Sequence, residues 1–343
     1  GLPVIFTLNH LAEITEVDYR TLRATVERKR EWANYRMFAI KKRSGGRRHI
    51  HAVSGKLFSV QQFINSEILQ RIPSHPNSFA FHRDGGIRSC AASHCGARWL
   101  FQYDLTDFFY DVTEVDVYRI FVSLGYRNLL SFELSRLCTT VRLPKRLEHQ
   151  NRLLFIRRVP DDMPYRTLPL TGVLPQGAPT SPMLSNLAAK ALDESLSAFA
   201  LNNGFVYTRY ADDITLSTVN LSRDKSIGEI HRQVVHMIHR SGFRANRKKT
   251  RIAGPGSRKV VLGLLVDGDI PRLSKEMYKR IDRHLHAAVK YGLAETAEHE
   301  GFESAFGLYN HLSGLVAFVK DVDTERWREF QGRMTEIVCP WDN

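Results

Sequence analysis

The feature that most constrains the fold of this chain is a pair of adjacent carboxylates inside an apolar hairpin pattern. Residues 205–217 alternate as two short strands do, and Asp212 and Asp213 lie at the turn between them. Neighbouring carboxylates repel each other unless a cation offsets their charge, and carboxylate oxygens suit Mg²⁺. An acidic pair at a solvated surface turn is the alternative. The apolar flanks favour a pair that is held on rigid strands.

A third carboxylate follows another apolar segment. Residues 101–105 form a strand pattern, and Asp104 lies near its end. A carboxylate from a distant strand can converge with the first two, and three acids around two Mg²⁺ ions form a site for phosphoryl transfer. One ion lowers the pKa of an attacking 3′-hydroxyl, and the other stabilises the leaving pyrophosphate. A strand-end cap or an ion pair is the alternative for Asp104.

The third element is a loop rich in Gly and Pro, residues 174–182. Gly and Pro keep such a loop extended and let its backbone approach a ligand closely. Thr180 or Ser181 can cap the helix predicted to follow. In isolation, a loop of this kind is usually a structural helix entry.

The charge of the chain points to a polyanionic partner. The 343 residues include 49 Lys and Arg against 36 Asp and Glu, a net charge of +13. Phosphate neutralisation with counterion release makes nucleic acid the first candidate. An anionic membrane surface is the alternative, but the sequence carries no amphipathic anchor, no lipidation signal and no apolar run long enough to span a bilayer. We expect a cytoplasmic protein.

The cysteines and the order of elements add two further expectations. Cys90 and Cys95 lie near His82 and His94, so a zinc site is conceivable, but reduced structural thiols are the stronger interpretation. Predicted strands and helices are mixed without a steady βαβ alternation, which favours an α+β fold.

Together, the acidic strand end, the Leu-Pro-Gln-Gly loop at 174–177 and the Tyr-Ala-Asp-Asp turn at 210–213 resemble the reverse transcriptase family in type and order. The resemblance covers nearly the whole chain and is strongest to the bacterial retron type. It implies a right-hand polymerase fold with a ferredoxin-like palm and a helical thumb. Residues 1–98 would form the fingers, 99–270 the palm, with a fingers-associated segment at about 143–172, and 271–343 the thumb.

The resemblance also implies roles for single residues. The metal ligands would be Asp104, Asp212 and Asp213, with the Leu105 carbonyl as an extra ligand, around two Mg²⁺ ions for which Mn²⁺ could substitute. Five residues would bind the incoming dNTP: Lys42 and Arg48 through its phosphates, Phe109 as the gate that blocks a 2′-hydroxyl, Gln176 at the nucleotide or template, and Lys249 as the proton donor to pyrophosphate. Taken alone, the basic segment at 41–48 would be a solvated face.

Contacts to primer and template are expected further along the chain. Tyr210 would lie by the primer end, and Gly263 would belong to a primer-grip hairpin. Three cations recur at helical spacing and would follow a duplex backbone: Lys275, Lys279 and Arg283. His94 ends a stretch similar to a retron motif, with Cys90 where that motif has Asn, so an RNA contact and a structural role both stay open. Leu262 likewise stands where retron enzymes carry Thr.

The retron resemblance implies an RNA-directed DNA polymerase that binds a cognate structured non-coding RNA. Such an enzyme would prime from a guanosine 2′-hydroxyl and copy part of the RNA into single-stranded DNA, as part of an anti-phage system with an effector protein. Two alternatives remain at this point. One is another bacterial reverse transcriptase class, such as a diversity-generating or abortive-infection type. The other is a nucleoprotein scaffold that restrains an effector.

Overall fold

The computed structural model of the chain describes residues 1–41, 45–148, 160–164, 171–221 and 226–338. Lys42 and most of the segment at 143–170 therefore lie outside the described residues. The chain divides into two compact units. The first comprises Gly1–Gly85, Gln102–Leu216 and Ser222–Arg251, and the second comprises Gly86–Phe101, Ser217–Leu221 and Ile252–Asn343.

The described helices, in chain order, are α1 (Leu8–Thr15), α2 (Tyr19–Val26), α3 (Glu31–Asn34), α4 (Gly55–Phe63), α5 (Ile87–Ala92), α6 (Glu114–Ser123), α7 (Asn128–Cys138), α8 (Ser181–Ala188), α9 (Lys190–Asn203), α10 (Ile227–Arg240), α11 (Lys275–Tyr291), α12 (Leu293–His299), α13 (Ala305–Val322) and α14 (Thr324–Thr335). The strands are β1 (Tyr35–Lys41), β2 (Arg47–Val53), β3 (Trp99–Asp104), β4 (Val206–Tyr210), β5 (Asp213–Thr218), β6 (Arg251–Ala253), β7 (Val260–Val261) and β8 (Leu264–Leu265).

Polar side chains define where several helices begin. Thr113 and Asp116 form a capping box at the start of α6, and Ser226 and Glu229 form another at the start of α10. In each box, a hydroxyl and a carboxylate satisfy backbone N–H groups that the first helical turn leaves without partners. Pro182 lies in the first turn of α8, where the missing N–H costs no intrahelical hydrogen bond. The helix predicted after the Gly/Pro loop therefore begins where the sequence indicates.

A four-stranded sheet carries the residues of interest. Its strand order is β4-β5-β3-β6. In chain order these strands are separated by helices in the pattern β-α-β-β-α-β, with α10 preceding β6. This order and pattern are those of a ferredoxin-like sheet, which confirms the predicted α+β class and the predicted palm topology.

A separate hairpin is formed by β1 and β2 in the first unit. The strands pair antiparallel from Tyr35 opposite Val53 to Lys41 opposite Arg47. Gly45 and Gly46 lie at its tip with φ of +85° and +79°, which is the left-handed region that glycine adopts without strain. Both strands are seven residues long, and β2 carries Arg48.

The second unit has its own apolar core, to which α11, α13 and α14 contribute. The side chains at its centre are fully buried and repeat at helical spacing, as Leu308, Leu312, Val316 and Val319 do along α13. This is consistent with the helical region predicted at the end of the chain. Among the described residues, none of the helices has both the length and the apolar character needed to cross a membrane.

Candidate active site

The sheet order brings the three predicted carboxylates together in the first unit. Strand β3 ends at Asp104 and lies beside β5, which begins at Asp213. The backbone N–H of Leu105 donates to the carbonyl oxygen of Asp212 at 2.8 Å. The end of one strand is thereby joined to the turn between two others. Side chains that are more than 100 residues apart in sequence meet at one end of the two central strands.

The chain reverses sharply between β4 and β5. Ala211 takes a left-handed conformation with φ of +55°, which is unfavourable for a residue with a Cβ atom by roughly 1–2 kcal/mol. Asp212 follows immediately, and Asp213 begins the next strand. The turn is tight enough to place both carboxylates at the same end of the hairpin.

The electrostatics of the three carboxylates are unfavourable without cations. Desolvation, followed by the charges of Asp212 and Asp104, raises the pKa of Asp213 to about 6, although the residue remains exposed to solvent on one side. Desolvation is also the main reason that the pKa of Asp212 is raised, with a contribution from Asp104. Neighbouring carboxylates repel one another when they are ionised, so a cation bound between them would be favourable.

Two cationic side chains of the protein interact electrostatically with these carboxylates. The Lys249 ammonium donates to Oδ1 of Asp104, and this bond is the main cause of a raised Lys249 pKa. The Asn246 amide donates to Oδ2 of the same carboxylate at 3.2 Å. The positive charge of Arg48 offsets a small part of the rise in the pKa of Asp212 that desolvation causes. The predicted dNTP-binding residue Lys249 therefore contacts one of the three carboxylates directly.

The donor set fits a divalent cation in charge and in chemistry, because three oxygen-bearing anions converge and repel one another. Within the described ranges, no group of three or more His, Cys, Asp or Glu side chains is already spaced to hold a metal ion. In the arrangement described, the Lys249 ammonium binds one of the three carboxylates. The metal ligands Asp104, Leu105, Asp212 and Asp213 stay predictions.

The hairpin β1–β2 is anchored to the Leu-Pro-Gln-Gly loop. The backbone N–H of His51 donates to the carbonyl oxygen of Gln176 at 2.8 Å. Gly177 has φ of +112°, and a Cβ atom there would lie 3.0 Å from the His51 carbonyl oxygen. Only glycine satisfies both the backbone angle and the close approach. The strand that carries Arg48 is thus fixed to the loop that carries Gln176.

The predicted gate residue follows Asp104 by five positions. Phe109 is half-buried, and its ring lies 5.7 Å from that of Phe108 and 6.3 Å from that of Phe81, between centroids. The turn leading to it contains Asp107 in a left-handed conformation, and Arg146 donates to both oxygens of the Asp107 carboxylate at 2.8 and 2.5 Å. The aromatic ring is therefore held in a defined position by its neighbours. Tyr210 is half-buried at the end of β4.

Other predicted residues belong to the second unit. Gly263 lies in the turn between β7 and β8 with φ of +87°. The three predicted duplex-binding cations, Lys275, Lys279 and Arg283, are all exposed on α11. His94 is fully buried, and its Nδ1 lies 2.7 Å from the Ser217 hydroxyl. Burial lowers the pKa of His94 to about 4. Its packing accounts for a structural role, and the RNA contact stays a prediction.

The sequence reasoning missed Arg209, which directly precedes the Tyr-Ala-Asp-Asp turn. Its side chain is fully buried and forms an ion pair with the equally buried Asp193 at 2.7 Å. Arg209 also donates to the carbonyl oxygen of Ala211 at 3.0 Å. The only sequence signal for it is a lone cation inside an otherwise apolar strand.

Comparisons with known proteins show which family this sequence belongs to. The profile of the family described as reverse transcriptase (RNA-dependent DNA polymerase) matches residues 40–266. Retron Ec86 reverse transcriptase of Escherichia coli is 30% identical over 330 residues, which cover 96% of this chain and 88% of that protein. Retron Mx65 reverse transcriptase of Myxococcus xanthus is 33% identical over 329 residues, which cover 95% and 70%.

Among solved structures, the chain is similar to telomerase from Candida albicans in complex with a fragment of telomeric RNA. The identity is 12% and the TM-score 0.45, over 88% of this chain and 56% of that chain.

Proposed function

Because the chain belongs to the retron reverse transcriptases and is therefore an RNA-directed DNA polymerase with a right-hand fold, we propose that it copies part of a cognate structured non-coding RNA into single-stranded DNA. The observation that carries the proposal is the meeting of Asp104 with Asp212 and Asp213 through the bond from Leu105 to the turn. Synthesis is primed from the 2′-hydroxyl of a guanosine in that RNA, and the product is a branched RNA–DNA molecule.

The three carboxylates, with the Leu105 carbonyl, are the groups that would hold two Mg²⁺ ions or Mn²⁺ in their place. When bound, such ions supply charge neutralisation at the attacking 3′-oxygen and at the leaving pyrophosphate. Two cationic side chains support this assignment. Lys249 and Arg48 supply positive charge that acts on these carboxylates, as a bound metal ion would.

The remaining site residues bind and orient the nucleotide. Arg48 binds the triphosphate, because a guanidinium can donate to two phosphate oxygens at once. Lys249 gives its proton to the departing pyrophosphate. Phe109 excludes a ribose 2′-hydroxyl, and the support for this role is the packing of its ring against Phe108 and Phe81. Gln176 contacts the nucleotide or the template from a loop that is fixed to β2.

We assign residues 1–98 to fingers, 99–270 to palm and 271–343 to thumb. The exposed cations Lys275, Lys279 and Arg283 on α11 support a thumb that follows the phosphates of an RNA/DNA duplex, which proteins read mainly through backbone and shape. Gly263 and Tyr210 contact the primer strand. The family match to retron enzymes favours this function over that of another bacterial reverse transcriptase class.

In the cell, the RNA–DNA product and the protein act against phage together with an effector protein encoded beside them. The net charge of +13 supports a protein that keeps its nucleic acid bound after synthesis. A complex that restrains the effector is compatible with catalysis, since the DNA can be made once and then held.

The test is to purify the protein from its native locus and extract the bound nucleic acid. The extract is treated separately with RNase, DNase and a 2′,5′-debranching enzyme. A DNA species that is joined to RNA, and that is lost in the Asp212→Asn/Asp213→Asn variant, is the expected result. RNA alone from the wild-type protein would overturn the proposed copying reaction. Loss of the effector from the purified complex on DNase treatment would support the restraint.

A further inference from the structure

A single buried cation lies beneath the catalytic turn. Arg209 is 0% exposed, and its guanidinium uses all five of its N–H donors. Nε donates to Asp193 Oδ1 at 2.7 Å, Nη1 to Asn186 Oδ1 and to the Ala211 carbonyl, both at 3.0 Å, and Nη2 to Asp193 Oδ2 at 2.7 Å and Ser78 Oγ at 3.2 Å.

These contacts connect separate parts of the first unit. Asn186 belongs to α8, which follows the Leu-Pro-Gln-Gly loop, and Asp193 belongs to α9. The backbone of Arg209 is also fixed, since its N–H donates to Asn77 at 2.7 Å and its carbonyl accepts from Phe79 at 2.8 Å. The guanidinium therefore has little freedom, and its bond to Ala211 is set by partners on two helices and a loop.

The bond to Ala211 has a direct consequence for the turn. Ala211 has an unfavourable left-handed φ of +55°, so the turn needs a compensating contact. The planar guanidinium supplies a donor to the Ala211 carbonyl, at the residue that precedes Asp212. A change in this carbonyl's direction rotates the peptide that leads into Asp212 and Asp213.

We propose that Arg209 is a positioning residue, which fixes the direction of the Ala211 carbonyl and thereby the placement of the Asp212 and Asp213 carboxylates. The inference rests on the proposed function of these two residues. Stability alone does not require such a group, because a buried ion pair is often no more stabilising than well-packed apolar residues of similar volume. An apolar pair, however, has no donor for the Ala211 carbonyl.

Tyr207 offers a matched control. Its hydroxyl donates to the same Asp193 carboxylate at 2.7 Å. Tyr207 is buried and lies two residues before Arg209, on the same face of β4. Tyr207→Phe removes a hydrogen bond from the buried cluster and leaves the donor to Ala211 in place. Arg209→Lys keeps the positive charge but loses the fork of donors that reaches Asp193 and Ala211 together.

The experiment is rapid-quench incorporation of one dNTP on a DNA primer annealed to an RNA template. The burst amplitude counts correctly folded active molecules, and the burst rate reports the chemical step at each of them. For Arg209→Lys we expect a rate lower by about 100-fold at unchanged dNTP affinity, since a small misplacement has an effect of this size. Tyr207→Phe should keep the wild-type rate. A lower amplitude with a wild-type rate for Arg209→Lys would overturn the proposal, because it would mean a purely structural role.

A second variant covers the case in which Arg209→Lys fails to fold. Asp193→Leu and Arg209→Met, introduced together in the Tyr207→Phe background, replace the buried polar cluster with apolar side chains. If this triple variant unfolds at the same temperature as the wild-type protein but its burst rate stays low, the proposal holds. A wild-type burst rate in this variant overturns the proposal. The Asp212→Asn/Asp213→Asn variant tests the proposed function separately in the same assay. If this variant is active, the proposed function fails, whatever the result for Arg209.

Discussion

The backbone N–H of Leu105 donates to the carbonyl oxygen of Asp212 at 2.8 Å. This bond joins the end of β3 to the turn between β4 and β5. On the other side, the N–H of Asn246 donates to the Asp104 carbonyl at 2.8 Å. Neither of these main-chain hydrogen bonds uses a carboxylate oxygen, so conservative changes of the carboxylates themselves should leave the surrounding fold in place.

Removing the charge of Arg48 should weaken nucleotide binding. Arg48→Ala deletes a guanidinium whose charge reaches Asp212, and we expect the KM for dNTP to rise by about tenfold or more, the usual effect of losing a hydrogen bond to a charged group. Steady-state kinetics on an RNA template measure it. Arg47→Ala is the matched control, because successive strand residues point to opposite faces of the hairpin. An equal rise in KM for both variants would mean that only net charge matters.

Opening the gate should change sugar selection. Phe109→Ala removes the ring that packs against Phe108 and Phe81, and the space created can admit a 2′-hydroxyl. We expect incorporation of rNTP relative to dNTP to rise by about tenfold or more. The ratio of kcat/KM for the two nucleotides measures this. Phe58→Ala, at an exposed position on α4, is the control. Unchanged selectivity in Phe109→Ala would refute the gate assignment.

The exposed cations of α11 should contribute to duplex binding through phosphates. Lys279→Gln should weaken binding of an RNA/DNA duplex several-fold without sequence preference, and it should lower the slope of log Kd against log salt by about 1. Fluorescence anisotropy over a salt series gives both quantities. Arg328→Gln removes an exposed cation from α14 instead. If the two variants lose the same affinity and the same slope, α11 has no special role.

The buried His94 should make stability depend on pH. Its pKa in the folded state, about 4, lies below the ordinary value of 6.5, so the unfolded chain binds the proton more readily. This contribution to stability is fully present above about pH 6.5 and is lost as the pH falls towards 4, by up to about 3 kcal/mol. Urea unfolding at several pH values measures it. His94→Asn should flatten the profile, whereas His299→Asn, at a position 86% exposed, should not. An unchanged profile in His94→Asn would contradict the burial argument.

The convergence of the three carboxylates could be predicted from sequence because the patterns that carry them are local. Asp104, the Leu-Pro-Gln-Gly loop and the Asp212–Asp213 turn are each short patterns with recognisable flanks, and the strand order then joins them. The anchoring of Gln176 to His51 was not predictable, since it is a main-chain contact between residues more than 100 positions apart.

Arg209 shows the same limit more clearly. Its partners Ser78, Asn186 and Asp193 come from a loop and two helices, and none carries a sequence signal that links it to the hairpin.

Backbone conformation is a second feature of the structure that the sequence predicts poorly. Leu262 and Gly263 both take positive φ and reverse the chain between β7 and β8, and the positive φ of Leu262 carries no sequence signal. Helices α6 and α7 are likewise separated near Gly125, whose φ is +91°.

The most direct test of the central claim is DNA synthesis by the purified protein on an RNA template, with Asp212→Asn compared with Asp84→Asn. Asp84 is an exposed carboxylate of the same unit, and its loss should leave synthesis at the wild-type level. Asp212→Asn should bind the RNA with wild-type affinity and make no detectable DNA. Continued synthesis by Asp212→Asn at the wild-type rate would contradict the assignment of the three converging carboxylates as the catalytic site.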